Sequence, residues 1–328
     1  MKFGVVGTSA ITEKWLDAAK QIEGFELVAV YSRTKNRAEE FAAIHGAKYT
    51  FTSLEEMSLN EEMEAVYIAS PNSFHAEHSK IMMRAKKHVL CEKPLASNLR
   101  EVEEMIETAK SNKVLLMEAM ITSYLPRFQA IRDSLSKIAP IRRFVGSYCQ
   151  YSSRYDKYKA GEILNAFNPE FSNGSLMDIG VYTIHPLVQI LGKPNSIKAH
   201  GTMLDSGVDG EGHIAVQYED CDGILYHSKI CDSHLPSEIQ GEGGQIIIDK
   251  LPLIDRAYIK YRNGECEEID VSQDKSPMYY ETKGFIDLIN SNKLESDINS
   301  YSVSRDVMNI LDESRSQIGL KFRADNKI

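Results

Sequence analysis

Short uninterrupted apolar runs that alternate with amphipathic stretches narrow the fold of this chain more than any other feature. The runs cover residues 3–6, 27–31, 66–69, 88–91 and 114–118, and each has the length of one strand. A strand with no polar alternation is covered on both faces, as in a sheet flanked by helices on both sides. The stretches between them, at 37–45, 76–85 and 101–111, place apolar residues at helical spacing, and Asn36 and Glu39 are spaced as a capping box for the first. Strands joined through helices run parallel. Residues 1–120 therefore read as a doubly wound α/β domain.

Beyond residue 120 the period changes from helical to two. "HIAVQY", "GILYHSKI" and "AYIKY" alternate in polarity, and Asp222-Gly223 and Asn263-Gly264 carry hairpin turn chemistry. Residues 121–328 are thus expected to form an α+β domain around a large open, mainly antiparallel sheet, with helices at 281–290 and 302–318. The 328 residues, 42% hydrophobic and 26% charged, suffice for two cores. A net charge of -9 argues against nucleic acid or an anionic membrane as partner. The five cysteines show no C-x-x-C or metal-finger spacing, so no metal site is expected. The N-terminal apolar run ends before Glu13 and Lys14, and no stretch approaches the roughly 18 apolar residues of a membrane span. A cytoplasmic protein with reduced thiols is expected.

The stretch "FGVVGTSAIT" sets a buried strand directly before a glycine turn and a helix, where a dinucleotide fingerprint carries meaning. Gly7, Thr8, Ser9, Ala10 and Ile11 form the candidate loop, with Ser9 where the second fingerprint glycine would stand. The end of the second strand bears on which nucleotide. NAD enzymes place an acid there for the ribose hydroxyls. Here "LVAVY" runs into Ser32-Arg33-Thr34-Lys35-Asn36-Arg37, with three cations and no acid. Ser32, Arg33 and Arg37 would suit a 2'-phosphate, whereas Lys35 reads as a solvated helix face. NADP(H) is favoured, with NAD(H) as the alternative.

Five fragments in order, "GVVGTSAI", "SPNSFHAEH", "KHVLCEKPLA", "EAM" and "NGSLMDIGVYTIHPL", resemble the glucose-fructose oxidoreductase/inositol dehydrogenase (Gfo/Idh/MocA) oxidoreductases over essentially the whole chain. The resemblance implies a Rossmann domain followed by an open sheet domain, with the nicotinamide between them. It implies that Lys93 of Glu92-Lys93-Pro94 is the central catalytic residue, held before a cis proline, and that Ser70, Pro71, Asn72, His75 and Glu92 belong to the cofactor pocket. Asp178 and Tyr182, four apart, would share one side of a helix. Tyr182 stands where many relatives carry histidine, as in the dihydrodiol dehydrogenase and glucose-fructose oxidoreductase branch, and His185 is the alternative acid/base or substrate contact.

Together these residues imply an oxidoreductase moving a hydride between NADP(H) and the hydroxyl or carbonyl carbon of a sugar, polyol or trans-dihydrodiol-like substrate. Lys93 would polarise the substrate oxygen, Tyr182 exchange its proton, and Asp178 orient Lys93 or a neighbouring substrate hydroxyl. The polar, aromatic stretch 152–174 is the expected substrate loop, with Arg154 and Asn168 as candidate contacts. A glycosidase using transient oxidation and a non-catalytic NADP(H) sensor are the competing readings. An uncovered sheet face leads to the expectation of a homodimer or higher homo-oligomer through the antiparallel sheet.

Overall fold

The computed structural model describes residues 1–326. The chain divides into two compact units, one of Met1–Met120 with Lys275–Ser304, the other of Ile121–Asp274 with the residues from Arg305 on.

In the first unit, β1 (Lys2–Val6), β2 (Glu26–Tyr31), β3 (Tyr49–Phe51), β4 (Ala65–Ile68), β5 (His88–Glu92) and β6 (Leu116–Ala119) form one parallel sheet in the order β3-β2-β1-β4-β5-β6. Helices α1 (Ala10–Ala19), α2 (Lys35–His45), α3 (Leu54–Ser58), α4 (His75–Arg84) and α5 (Leu99–Asn112) connect them. Every residue of β4 is buried, as its unbroken apolar run requires. β3 escaped the sequence pattern because it is a three-residue edge strand with no buried position. The capping box is also corrected. The N-cap of α2 is Thr34 without a side-chain bond, so Asn36 lies inside the helix.

The second unit opens with α6 (Ile121–Tyr124) and α7 (Pro126–Asp133), followed by β7 (Ile141–Cys149), α8 (Tyr155–Lys159) and α9 (Val181–Leu191). Strands β8 (Ser196–Met203), β9 (Asp209–Gln217), β10 (Asp222–Ser228), β11 (Ser237–Gly241), β12 (Gly244–Ile248), β13 (Ala257–Tyr261) and β14 (Cys266–Glu268) complete an eight-stranded sheet with β7. Its order is β14-β13-β12-β11-β7-β10-β9-β8, antiparallel except for β7 against β10. Asn263-Gly264 forms the expected turn, with Gly264 at φ +91°. Asp222-Gly223 does not: both residues begin β10, and the turn before it closes between Tyr218 and Cys221.

Helices α10 (Pro277–Asn290) and α11 (Tyr301–Ile318) follow, then a 3-10 turn at Arg323–Asn326. The sequence reading put all of 121–328 in one domain, yet α10 returns to the first unit. Its apolar side explains why. Phe285 is fully buried with its ring 6.0 Å from Phe3 of β1, so α10 covers the sheet beside α1.

Candidate active site

The glycine turn after β1 is shaped by backbone. Gly7 has φ +108°, and a Cβ there would meet the Ala69 carbonyl oxygen at 2.6 Å, so no other residue fits. Thr12 Oγ1 donates to the Gly7 carbonyl at 3.1 Å and steadies the turn. Ser9 is the N-cap of α1, exposed, extended and without a side-chain capping bond. A serine in place of the second fingerprint glycine therefore stands at φ -91°, where a side chain costs nothing. The first turn of α1, with Ala10 exposed and Ile11 half-buried, presents N–H groups that no side chain caps, which suits the phosphates of a dinucleotide.

At the end of β2, Ser32 is buried and Arg33 is exposed, making no hydrogen bond or ion pair among the described residues. Beside it, the N-terminus of α2 likewise lacks a side-chain cap. Arg37 is engaged differently. Its Nη2 donates to the Thr8 carbonyl at 2.7 Å, its Nε lies 3.4 Å from Thr8 Oγ1, and Glu13 and Glu40 sit within 3.9 Å. It braces the glycine loop, while Arg33 remains available to an anion. No acid stands at this strand end, so the chain's own residues fit a dinucleotide with an extra phosphate.

After β4, Ser70, Pro71 and Asn72 are half-buried, and a 3-10 turn, Asn72–Phe74, leads into α4. His75 is buried with its ring nitrogens 2.9 Å from the Pro94 carbonyl and 2.8 Å from the Ser70 carbonyl. Burial lowers its proton affinity, against the pull of the two carbonyls, and Lys93 adds to the lowering. With both nitrogens turned to backbone oxygens, His75 ties the β4 loop to the Lys93-Pro94 turn, which corrects its expected role as a cofactor contact.

The peptide bond between Lys93 and Pro94 is cis. Lys93, directly after β5, is half-buried near the carboxyls of Glu92 and Glu118. Glu92, buried, accepts from the Tyr67 hydroxyl and, at 3.3 Å, from the Lys93 backbone N–H. Glu118, on β6, accepts from the Leu95 N–H at 3.0 Å and the Ser304 hydroxyl at 2.9 Å. Burial pushes its carboxyl up to about 7, with Lys93 pulling the other way. Tyr67 in turn stacks on Trp15 at 4.2 Å, so the acid beside Lys93 is anchored in the aromatic core of the unit.

In the second unit, Leu176–Gly180 forms a π-helical turn directly before α9. Asp178 lies in that turn and Tyr182 in the first turn of α9, so they do not share one regular helix as the spacing implied. Such π turns are frequent at functional sites because they re-aim side chains. Tyr182 is half-buried, with the Tyr148 ring of β7 set edge-on at 5.6 Å. Asp178 Oδ2 accepts from Lys229 Nζ at 2.7 Å. Lys229, which immediately follows β10, is a residue the sequence reading missed; a lysine at the end of an alternating strand carries no signal that it is buried.

His185 is fully buried, with Nδ1 3.2 Å from Ser123 Oγ, and burial pushes it down to about 3. It is neutral at working pH and packed in the core, which removes it as acid/base or substrate contact. The stretch 152–174 is ordered by its own contacts. Tyr155, Tyr158 and Phe167 cluster at 5.2 to 5.7 Å, and Lys157 and Lys159 pair with Glu162 and Asp156. Asn168 Oδ1 caps the Glu170 N–H at 2.9 Å, a structural role, while Arg154 is exposed.

Comparison with known proteins agrees with this architecture. Residues 1–120 match the "Oxidoreductase family, NAD-binding Rossmann fold" and residues 136–247 match the "GFO/IDH/MocA C-terminal domain". The chain belongs to this family. It is 50% identical to scyllo-inositol 2-dehydrogenase (NADP(+)) IolU of Bacillus subtilis, covering 99% of each chain. It is 28% identical to trans-1,2-dihydrobenzene-1,2-diol dehydrogenase of Mus musculus, over 100% of this chain and 99% of that one. The 3-ketoreductase KijD10 of Actinomadura kijaniata, solved with NADP and TDP-benzene, shares the fold at 22% identity, with a TM-score of 0.83 over 97% of this chain and 98% of that one.

The chain is thus an NADP(H)-dependent oxidoreductase acting on a hydroxyl or carbonyl carbon of a sugar- or polyol-type substrate. Neither glycoside cleavage by transient oxidation nor a non-catalytic sensor is favoured by these relatives. Among the described residues, no helix is long and apolar enough to cross a membrane.

Proposed function

We propose that the chain oxidises a cyclic polyol of the inositol class, scyllo-inositol foremost, to the corresponding ketone with NADP+, and catalyses the reverse reduction. The observation that carries the nucleotide half is Arg33, an exposed guanidinium, unpaired among the described residues, at a strand end without an acid. The polyol half rests on the 50% identity to the Bacillus subtilis inositol dehydrogenase across both chains.

The bound nicotinamide supplies hydride exchange at the reacting carbon. The protein then has to hold that carbon and move one proton. In our reading the Lys93 ammonium stabilises negative charge on the substrate oxygen, and Tyr182 takes the hydroxyl proton in oxidation and returns it in reduction. A phenol titrating near 10 needs such a cation to pass its proton at neutral pH. Asp178 accepts from a neighbouring hydroxyl of the substrate. Gly7, Thr8, Ser9, Ala10 and Ile11 hold the phosphates, Ser32 and Arg33 the extra phosphate, and Ser70, Pro71, Asn72 and Glu92 the nicotinamide side. Arg154 remains a candidate substrate contact.

NADPH formation with scyllo-inositol, compared with myo-inositol, free aldoses and a trans-dihydrodiol, tests the assignment. Equal molar yields of NADPH and ketone are expected with scyllo-inositol. Turnover of only the dihydrodiol would overturn the polyol class.

We further read the open face of the second sheet as a self-association surface. Val145, Ile224 and Ala215 lie side by side in register across β7, β10 and β9, next to exposed Tyr226. A second copy applying the same row would bury it. Sedimentation of Ile224→Glu against the unaltered protein tests this, and an unchanged mass would refute it. The five free cysteines support a cytoplasmic setting.

A further inference from the structure

We propose that Lys229 is a positioning residue that holds Asp178 as an oriented carboxylate for the substrate. The proposal rests on the reading of Asp178 as a substrate-handling residue. Its observation is an asymmetric ion pair in the second unit: Lys229 is 3% exposed by side chain, whereas Asp178 is 36% exposed. The lysine is the buried scaffold of the pair and the aspartate its accessible end.

The geometry around Lys229 is that of a junction. Nζ donates to Asp178 Oδ2 at 2.7 Å and to the Ala166 carbonyl at 3.2 Å, and it stands 5.3 Å from the Phe167 ring centre. The Lys229 backbone N–H donates to the Gly210 carbonyl, and the Lys229 carbonyl accepts from the Ser152 N–H, both at 2.9 Å. One residue thereby fixes the end of β10 to the start of β9, to the start and the interior of the 152–174 stretch and to the π turn. A buried ammonium is costly unless a carboxylate compensates it, so Lys229 and an ionised Asp178 require each other.

The other titratable groups packed nearby do not take this role. Asp209 is fully buried and accepts from the Leu176 N–H at 2.7 Å, and burial pushes it up to about 7. His227 is buried with Nδ1 2.9 Å from Ser175 Oγ and 3.8 Å from Asp209 Oδ2; burial and His213 push it down to about 3. Lys229 pulls against that rise at Asp209, but the carboxylate its Nζ hydrogen-bonds, at 2.7 Å, is Asp178. The π turn aims Asp178, and the ion pair stops it from rotating or taking up a proton.

The test uses the full-length protein with NADP+ and scyllo-inositol. Lys229→Met should lower kcat/KM at least tenfold and raise its acid limb by about one pH unit, because an adjacent cation lowers a carboxyl by 1 to 3 units. NADPH affinity should stay within twofold. Lys229→Arg should bring the acid limb back towards its original place. Lys229→Gln, which keeps a donor but no charge, covers the case in which the methionine variant does not fold; its acid limb should move as well.

An activity-free readout is the double-mutant cycle in denaturant. Asp178→Asn should destabilise the protein by stranding a buried ammonium, and adding Lys229→Met should recover most of that loss. A Lys229→Gln enzyme with an unmoved acid limb and full turnover, beside an inactive Asp178→Asn, would overturn the positioning role alone. Full turnover by Asp178→Asn would overturn the reading of Asp178 and the proposal with it. A double mutant whose stability loss is the sum of the singles would also overturn the proposal.

Discussion

Replacing Arg33 by alanine should remove the preference for NADPH and leave everything else in place. Arg33 is exposed and has no partner among the described residues, so its loss strands none of them and opens no cavity. Only contacts to the nucleotide are at stake. A hydrogen bond to a charged group contributes about 1.5–3 kcal/mol, and each 1.4 kcal/mol is tenfold in affinity. NADPH should therefore bind roughly 10- to 150-fold more weakly to Arg33→Ala. NADH, lacking the 2'-phosphate, should change by less than about twofold on the same reasoning.

Arg37→Ala is the internal control. That guanidinium holds the Thr8 carbonyl at 2.7 Å, so its loss loosens the glycine loop shared by both nucleotides. It should weaken NADPH and NADH by similar factors. Calorimetric titration of the two variants with both nucleotides measures all four numbers. If Arg33→Ala weakened NADH as much as NADPH, Arg33 would be supporting the loop, and the reading of this strand end would be wrong.

Other perturbations separate the remaining roles. Lys93→Met and Tyr182→Phe should each lower turnover by at least a hundredfold, as expected for groups acting on the moving proton, with NADPH affinity nearly unchanged. Wild-type turnover in either would refute its role. His185→Asn should leave the pH profile of kcat/KM where it is, because His185 is held neutral with its proton affinity pushed down to about 3; a displaced limb would restore it as acid/base.

The contribution of Glu118 to stability should fall as pH rises from 5 to 7, against the opposite trend of the buried histidines. Glu118 is pushed from 4.5 to about 7, so the folded state holds its proton after the unfolded chain has lost it. At ~1.4 kcal/mol per pH unit, less where either state is part-titrated, that interval amounts to about 2 kcal/mol for this group, a dependence that Glu118→Gln should remove from denaturation measured at the two pH values.

What could be read in the sequence was local. A strand, a left-handed glycine and a helix lie within residues 2–19, and the nucleotide signal lies within a few residues of the end of β2. Buried parallel strands advertise themselves by lacking alternation, and five of six did so; β3 is short, half-exposed and therefore silent. Tyr182 and Asp178 were legible as a spacing, but the π turn between them was not, since no residue type compels one. His185 was a candidate by its place two turns after Asp178, and Asn168 by its polar stretch. Their partners, Ser123 and the Glu170 N–H, turn them into packing and capping residues.

The residues that escaped are those whose meaning arises only from contact across long stretches of chain. Lys229 lies 51 residues from Asp178 and Ser304 lies 186 from Glu118, so neither pair leaves a trace in any window of sequence. The two pairs also show how one fold treats charge in two ways. Glu118 is buried among hydrogen-bond donors with its proton affinity pushed up to about 7, while Asp178 reaches outward from a buried lysine. Glu118 is raised chiefly by its own burial, whereas half-exposed Asp178 stands against a buried lysine whose charge a carboxylate compensates and a serine would not. On that ground, exchanging the environments, with Ser304→Lys beside Glu118 and Lys229→Met beside Asp178, should move the two carboxyls in opposite directions. Carboxyl titration by isotope-edited infrared spectroscopy should find Glu118 ionised at pH 6 in the first variant and Asp178 holding its proton to higher pH in the second; no movement in either would show that desolvation alone governs them.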